Sequence, residues 1–350
     1  MSERRAEPGA DMLAEIREQP RRVRDALSLA LPKAPDLARA VSDAHQVVVL
    51  GRGSSRSAAT YAAHALRAIA QRPALVASPA ELAWGDWSLP LAQTVVVAIS
   101  QSGESREMVA AAQRARELGA RLVVVTNTSS SSLAALAARP EDVLDCAAGT
   151  ERAVPATKSF TTSLAAVLAI AAAGRPRELA HARDTLPELI QGVLDDERSA
   201  SLSLAVDSFA LAGEGYGEAV AEEGAIKLRE TLIQPCASFE TSEFLHGSIN
   251  SSSPTMGVIT VESDPLSAGL AGDVVSGAAG RGAVTIHIGR TRPEGVDQWV
   301  PLPDVPASWS PFLAILPIQL AARAAAIAKG LDPDRPAGLS KVTLIDYAAR

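Results

Sequence analysis

The sequence predicts an α/β protein made of two related units, each with a parallel β-sheet flanked by helices. In the first half, three short runs are continuously apolar and β-branched, which is typical of parallel strands covered on both faces: Gln46–Leu50, Thr94–Ile99 and Arg121–Thr126. Each run is followed by a break rich in Gly, Ser or Asn and then by an Ala-rich helical stretch, the pattern of β-α-β connections. The 350-residue length also favours two domains.

The same alternation returns in the second half of the chain. Strands are expected at 203–211, Met256–Val261 and 283–288, and a helix at 218–231. The Gly-rich turns 51–53 (GRG) and 213–215 (GEG) stand at equivalent places in the two halves, which indicates a duplication. Other helices are expected at 11–29 with a break at Pro20, at 105–119, at 175–197 between the units, and at 311–329 before Gly330; a tail follows at 338–350.

Composition and charge exclude several classes of partner. Lys and Arg number 33 against 40 Asp and Glu, and this net charge of −7 argues against nucleic acid and fits a cytoplasmic protein. The aromatic content of 3% argues against binding by base stacking. The longest apolar runs are too short to span a bilayer (163–174) or carry Pro317 and Arg323 (312–328), so no membrane span is predicted.

The N-terminus and the cysteines exclude further kinds of site. The charged start, MSERRAEPGAD, has no apolar core and predicts no secretory signal. Cys146 and Cys236 have no CxxC spacing and no nearby His, so we expect two reduced thiols, with neither a zinc site nor a disulfide framework.

Two loops combine the features of a phosphate site. The stretches 51–57 (GRGSSRS) and 100–105 (SQSGES) each follow a predicted strand and precede a helix, where free backbone N–H groups and Ser hydroxyls can bind an anion. Arg56 stands where a dinucleotide fingerprint needs its third Gly, which argues against a dinucleotide ligand. No Walker A Lys is present, which argues against a nucleoside triphosphate. The ligand that these loops still fit is a monophosphorylated small molecule. The alternative is that these serines only cap helices. The run 128–132 (TSSSS) is interpreted as a turn and cap.

Candidate groups for proton transfer lie on one helix and in two loops. Glu223, Lys227 and Glu230 have the spacing of one helix face, so a carboxylate held by Lys could move a proton between adjacent carbons. The alternative is a solvated face with a salt bridge. His246, between a carboxylate and a Gly, is the candidate histidine, while His45, His64, His181 and His287 are interpreted as structural. Lys341 is a further candidate cation near the C-terminus.

Six segments, in order, resemble motifs of the sugar isomerase (SIS) family, above all the tandem isomerase part of glucosamine-6-phosphate synthase and the stand-alone SIS-type glucosamine-6-phosphate deaminases. The similar segments are 12–20 (MLAEIREQP), 100–105 (SQSGES), 149–158 (GTERAVPATK), 223–230 (EGAIKLRE), 243–247 (EFLHG) and 339–343 (LSKVT). The resemblance runs from Met12 to Asp346. It implies two tandem SIS-type doubly wound parallel-sheet units of the flavodoxin-like kind with flanking helices. The expected division is a helical lead-in at 1–30, SIS domains at 31–175 and 198–335, and a tail at 336–350 that closes the active site.

The resemblance also implies a role for each matching residue. The 6-phosphate of a sugar would be held by Ser55, Ser100, Gln101, Ser102 and Ser105, and the sugar would contact Val154 and Ala156. Glu230 would shuttle a proton between C1 and C2, and Lys227 would orient it. His246 would help to open the sugar ring from a neighbouring subunit, which implies a homodimer. Lys341 would close over the open-chain sugar, with a Schiff base to the ketose as one form of this contact; no cofactor and no metal is implied.

The implied activity is deamination of glucosamine 6-phosphate to fructose 6-phosphate and ammonia. No glutaminase domain and no N-terminal Cys nucleophile precede the motifs, so glutamine-dependent amination is not expected of this sequence. Pro155 and Ala156 replace the family's Ala-Ser, Pro235 replaces a frequent His, and Ser248 replaces the Pro after His-Gly. Because these departures concern the sugar, three alternatives stay open: an Amadori-type deglycase, a ketose–aldose phosphate isomerase, and a sugar-phosphate-binding regulator without catalysis.

Overall fold

A computed structural model describes residues 7–86 and 90–341 of the chain. The chain forms two compact units. The first-sheet unit comprises Arg21–Thr150 and Lys158–Pro187, and the second-sheet unit comprises 7–20, Glu151–Thr157 and Glu188–Lys341. Most of the tail expected at 336–350 lies outside the described residues, as do positions 342 and 343 of the closing motif.

The first-sheet unit holds five parallel strands in the order β2-β1-β3-β4-β5. The strands are β1 Gln46–Leu50, β2 Ala74–Ala77, β3 Thr94–Ile99, β4 Arg121–Thr126 and β5 Val143–Asp145. Val48, Val96 and Val124 of the central strands pack against α5, which covers one face. The helices from the N-terminus to the end of this unit are α1 Ala10–Ala30, α2 Ala34–Asp43, α3 Ser54–Ala68, α4 Pro79–Trp84, α5 Arg106–Glu117, α6 Lys158–Ala171 and α7 Pro176–Asp195.

The second-sheet unit repeats this architecture. Its strands are β6 Ser208–Gly213, β7 Cys236–Glu240, β8 Met256–Val261, β9 Val284–Gly289 and β10 Gln298–Pro301. They are all parallel, and the order β7-β6-β8-β9-β10 is that of the first sheet. Its helices are α8 Glu197–Ala200, α9 Tyr216–Leu232, α10 Thr241–Leu245, α11 Pro265–Ala279 and α12 Ser310–Ala328. The predicted fold class, two tandem doubly wound parallel sheets with flanking helices, is therefore confirmed.

The strands that the sequence analysis missed are the outer strands of the two sheets, β2, β5, β7 and β10. These strands are three to five residues long and partly exposed, so they lack the continuous β-branched run that marks a buried central strand. The strand expected at 203–211 begins at Ser208, which is a correction. The backbone of Ser203 bonds the side chain of Gln298 through both its N–H (2.7 Å) and its carbonyl (3.0 Å), and these bonds keep Ser203 out of the ladder.

The N-terminal helix α1 runs through Pro20, so the expected break at this residue is wrong. Proline has no N–H to donate to the carbonyl of Ile16, four residues earlier. The side-chain amide of Gln19 replaces this donor, and its Nε2 lies 3.1 Å from Ile16 O. Gln19 is fully buried and also donates to Gln319 Oε1 at 2.8 Å, so its amide is held where the helix needs it.

One helical stretch of the described chain, Ala307–Ala328, is long and apolar enough to cross a membrane by length and composition. Within the second-sheet unit this stretch packs along α9, and 67% of its most apolar window is buried inside the structure. That burial is the behaviour of a core helix, which passes the same test of length and composition.

Candidate functional site

The two candidate phosphate loops lie side by side at one edge of the first sheet. Strands β1 and β3 are hydrogen-bonded neighbours, and the loops 51–53 and 100–105 follow their carboxyl ends. Strand β2 pairs with one side of β1, and β3, the next strand in sequence, pairs with the other side of β1. The strand order therefore reverses direction between β1 and β3, which makes this edge a topological switch point. Ligands of doubly wound sheets collect at such points. Ser55 lies in the first turn of α3, and Ser105 is the N-cap of α5.

The loop after β3 is ordered by its own serines. Ser100 is buried, and its Oγ accepts a hydrogen bond from Gly103 N–H at 3.2 Å. The Oγ of Ser102 accepts one from Glu104 N–H at 3.3 Å. These bonds bend the loop so that it leads into the start of α5, whose first N–H groups have no helical acceptor and can bind an anion. Gln101 and Ser102 are half-buried, so a ligand can reach them.

Gly103 is required by this loop, and replacing it tests the geometry. Its φ is +67°, and a Cβ built there would lie 2.1 Å from Ser131 Oγ. We therefore expect Gly103→Ala to lower the free energy of unfolding by about 2–3 kcal/mol and to weaken phosphate binding. The control is Gly174→Ala, where φ is not positive and a Cβ has open space. Thermal unfolding with and without inorganic phosphate measures both effects, and equal melting curves for the two variants would contradict the prediction.

The serine run 128–132 supports the phosphate loop. The Glu104 carboxylate accepts bonds from Ser132 N–H at 2.9 Å and Ser132 Oγ at 2.7 Å. These bonds hold the pKa of Glu104 below its ordinary value, the hydroxyl bond contributing most. Ser131 Oγ accepts from Ala134 N–H at 3.3 Å at the start of a short 3₁₀ helix, which is a capping role.

A buried ion cluster lies on α9 in the second-sheet unit. The Lys227 Nζ donates to Glu230 Oε2 at 2.8 Å and lies 3.5 Å from Glu223 Oε1. The side chains of Lys227 and Glu223 are 0% exposed, whereas that of Glu230 is 27% exposed. The three groups share one helix face as predicted, but the face is buried, so the alternative of a solvated salt bridge is wrong. Glu230 is the member of this cluster that a ligand can touch.

Burial and charge act on Lys227 in opposite directions. Burial is the largest contribution and by itself lowers the pKa of Lys227. The carboxylates of Glu223, Glu230 and Glu151 together outweigh it, so the pKa of Lys227 is raised above the ordinary value. Lys227 is therefore a fixed positive charge beside Glu230, which suits orientation of a carboxylate and stabilisation of developing negative charge.

Close packing brings α9 to this position. Gly224 lies on α9 between Glu223 and Lys227, and a Cβ there would lie 2.5 Å from Leu211 of β6 and 3.0 Å from Ile318 of α12. The absence of a side chain lets the backbone of α9 approach both elements. The Glu-Gly-Ala segment is thus needed to bury Glu223 and Lys227.

Lys341 is anchored on the segment Glu151–Thr157. Its Nζ donates to Glu151 Oε2 at 2.6 Å and to the carbonyl of Ala153 at 2.7 Å, and it lies 3.5 Å from the carbonyl of Val154. The other oxygen of Glu151 accepts from Thr157 N–H at 3.0 Å. Since Glu151 also acts on the charge of Lys227, it connects the two lysines. The structure therefore gathers Lys227, Glu230 and Lys341 in the second-sheet unit.

The remaining predicted residues are placed as follows. Val154 and Ala156 are half-buried on the same segment as Glu151, and Val154 N–H donates to Asp334 O at 2.9 Å. His246 follows α10 and is exposed, with its backbone N–H bonded to Ser242 O at 3.2 Å. Among the described contacts, none joins the His246 ring to the Lys227 cluster. The role of His246 across a subunit interface stays a prediction.

The residue of this site that the sequence analysis did not single out is Glu151. It stands inside the segment 149–158, which resembles a SIS motif. Glu151 is separated from Lys341 by 190 positions, so no local pattern could pair them. The cysteines stay outside the site: both are free, and burial raises the pKa of each thiol to about 12.

The chain is similar to known proteins along most of its length. Residues 40–173 match the SIS domain. The glutamine–fructose-6-phosphate aminotransferase (isomerizing) of Streptomyces coelicolor is 32% identical over 96% of this chain, and this chain covers 59% of that protein. The chain thus spans less than three fifths of the length of this curated relative.

Solved structures share the fold over nearly the whole chain. A candidate phosphosugar isomerase from Silicibacter pomeroyi DSS-3 matches with a TM-score of 0.79 and 28% identity, covering 93% of this chain and 99% of that one. The glucosamine-6-phosphate deaminase of Thermotoga maritima matches with a TM-score of 0.73 and 20% identity, covering 96% and 100%; at this identity the likeness shows the fold alone. The domain match shows a SIS domain at 40–173, and the aminotransferase relative and the common fold extend the similarity over nearly the whole chain.

Proposed function

We propose that this protein is a sugar-phosphate isomerase that deaminates a hexosamine 6-phosphate, converting glucosamine 6-phosphate and water into fructose 6-phosphate and ammonia. The observation that carries the proposal is the Lys227–Glu230 pair. A fully buried ammonium lies 2.8 Å from a carboxylate that is still 27% exposed, which is the arrangement of an oriented general base. The relative named for fructose 6-phosphate supports the choice of a hexose 6-phosphate as substrate.

The chemistry balances with the residues present. In the open-chain sugar, Glu230 takes the proton from C2 and the C1 oxygen gains a proton, which gives an enolamine with a C1 hydroxyl. Glu230 then returns its proton to C1 while the 2-amino group loses one. The product of this transfer is the C2 imine of fructose 6-phosphate. Addition of water to that imine releases ammonia and leaves the ketose. Lys227 orients the Glu230 carboxylate and stabilises the negative charge that develops on the C1 oxygen during the transfer.

The loops of the first-sheet unit supply the phosphate site of the proposal. Ser55, Ser100, Gln101, Ser102 and Ser105 bind the 6-phosphate through hydroxyl, amide and backbone donors. Val154 and Ala156 contact the sugar. Lys341 leaves its bond with Glu151 and closes on the open-chain sugar, where its amine, once it has lost a proton, can condense with C2 of the ketose to a Schiff base and release water.

His246 assists ring opening in this proposal, from the partner subunit of a homodimer. Its exposure is consistent with that role. The acidic net charge of −7 is consistent with a cytoplasmic enzyme that acts on a small metabolite rather than on nucleic acid.

A panel of three phosphorylated sugars tests the reaction type. The protein is incubated with glucosamine 6-phosphate, with an Amadori compound of fructosamine 6-phosphate and with fructose 6-phosphate, and ammonia, free amine and sugar products are measured. Unphosphorylated glucosamine is the control for the phosphate group. We expect turnover of glucosamine 6-phosphate and no turnover of this control. Cleavage of the Amadori compound alone would favour a deglycase, conversion of fructose 6-phosphate alone a ketose–aldose isomerase, and binding without any turnover a regulator; each of these contradicts the proposal.

A further inference from the structure

The turn after β1 carries an arginine that no role above includes. Arg52 Nε lies 2.8 Å from Glu107 Oε1, and its Nη2 donates to the same oxygen. The Glu107 side chain is 6% exposed and that of Arg52 is 44% exposed. The pair therefore joins the loop after β1 to the start of α5, the helix that follows the loop after β3, and its negative member is almost buried.

Glu107 occupies the first turn of α5, two residues after the N-cap Ser105. The positive end of a helix dipole stabilises a carboxylate in this turn. The same N–H groups are those that would bind the phosphate. Two anions thus compete for one helix end, and an uncompensated Glu107 would repel the phosphate in a poorly solvated site.

The second-sheet unit provides an internal comparison. Its turn 213–215 has the same backbone course, with φ of +56° at Gly215 against +54° at Gly53. Glu214 stands where the first turn has Arg52, and its carboxylate accepts from Ser242 N–H at 3.2 Å. The charge at this position is therefore inverted between the units, and the arginine occurs in the unit whose loops carry the serines.

We propose that Arg52 is a supporting residue of the phosphate site, which acts by cancelling the charge of Glu107 at the start of α5 so that this helix end can accept a phosphate. Arg52 acts through Glu107 and not by contact with the ligand. This inference rests on the phosphate loop of the proposed function, and it makes no use of the proton-transfer residues.

The test is a double-mutant cycle on the full chain with inorganic phosphate as the probe, using calorimetry for the dissociation constant. We expect Arg52→Gln to raise this constant about tenfold. Glu107→Gln alone should leave it unchanged or lower it, and the double variant Arg52→Gln/Glu107→Gln should return to within about threefold of the wild type. Arg116→Gln is the matched control, because Arg116 is exposed in the last turn of α5, away from the phosphate loops, and it should stay within about twofold.

Two outcomes would overturn the inference. Wild-type affinity in Arg52→Gln would show that Arg52 has no part in the site, and a double variant as weak as Arg52→Gln would show that Arg52 contacts the phosphate itself. Thermal melting without phosphate checks that each variant is folded. If Arg52→Gln does not fold, the phosphate affinity of Glu107→Gln alone tests the inference. Removal of the Glu107 charge should not weaken phosphate binding if Arg52 serves to cancel that charge, so weaker binding in Glu107→Gln would contradict the inference.

The same variants separate this inference from the proposed function. In the sugar-phosphate assay, Arg52→Gln should raise KM about tenfold and change kcat less than threefold. Should the wild type bind phosphate but turn over no sugar, the proposed function fails while the binding cycle still tests Arg52. Should the wild type turn over its sugar while all variants bind alike, the inference on Arg52 fails alone.

Discussion

Replacing Glu230 by Gln is expected to lower kcat about 10³-fold while the affinity for the phosphorylated sugar stays within about threefold of the wild type. Gln keeps the size of the side chain and can still accept the hydrogen bond of Lys227, but it cannot take a proton from carbon. Because the Glu230 side chain is 27% exposed and Gln has nearly the same shape, the change removes the proton acceptor and leaves the packing almost intact.

The matched control is Glu222→Gln on the same helix, because Glu222 is not among the groups that act on the charge of Lys227. Steady-state rates and phosphate titrations are compared for both variants and the wild type. Glu222→Gln should keep its turnover. A Glu230→Gln enzyme with undiminished kcat would remove Glu230 from the mechanism.

Replacing Lys227 by Met has the largest expected effect on stability. The change leaves the carboxylate of Glu223, which is 0% exposed, without the ammonium that lies 3.5 Å away. We expect the free energy of unfolding to fall by about 3–5 kcal/mol, as when one partner of a buried ion pair is removed. The measurement is urea unfolding at pH 7, followed by circular dichroism.

The double variant Lys227→Met/Glu223→Gln separates charge from packing. It should recover a large part of the lost stability, because the uncompensated carboxylate is gone while the apolar Met remains. No recovery would show that the loss comes from the shape of the Met side chain and would contradict the electrostatic explanation.

The pH dependence follows from the raised pKa of Lys227. A lysine whose pKa is higher in the folded state contributes stability that is fully present below its unfolded value of about 10.5. This contribution is lost as the pH rises through the folded pKa. The wild type should therefore lose stability above about pH 10.5 more steeply than Lys227→Met.

The parts of the fold that the sequence predicts well are those set by local pattern. Continuous β-branched runs give the bounds of β1, β3 and β4 to the residue, because a strand covered on both faces needs apolar side chains throughout. The outer strands were missed because short, half-exposed strands have no such pattern. The path of α1 through Pro20 depends on the hydrogen bond from the Gln19 side-chain amide to the carbonyl of Ile16, and helix propensities of single residues do not include such a bond.

The same limit applies to the candidate site. Helical spacing predicts that Glu223, Lys227 and Glu230 share a face, but it cannot say whether that face is buried. Burial follows from the approach of α9 to β6 and to α12 at Gly224, and α12 is distant from Gly224 in sequence. The bond from Lys341 to Glu151 is likewise set by tertiary folding. The sequence thus predicts which residues can take part in the chemistry, whereas the charged groups that surround each of them are known only from the structure.

The most direct test of the central claim is simultaneous measurement of ammonia and fructose 6-phosphate after incubation of the wild type with glucosamine 6-phosphate, with Glu230→Gln as the inactive control. The account predicts that both products form in equal amounts with the wild type and that neither forms above background with Glu230→Gln. Folded wild-type protein that binds glucosamine 6-phosphate but releases neither product, or a Glu230→Gln variant that releases both at the wild-type rate, would contradict it.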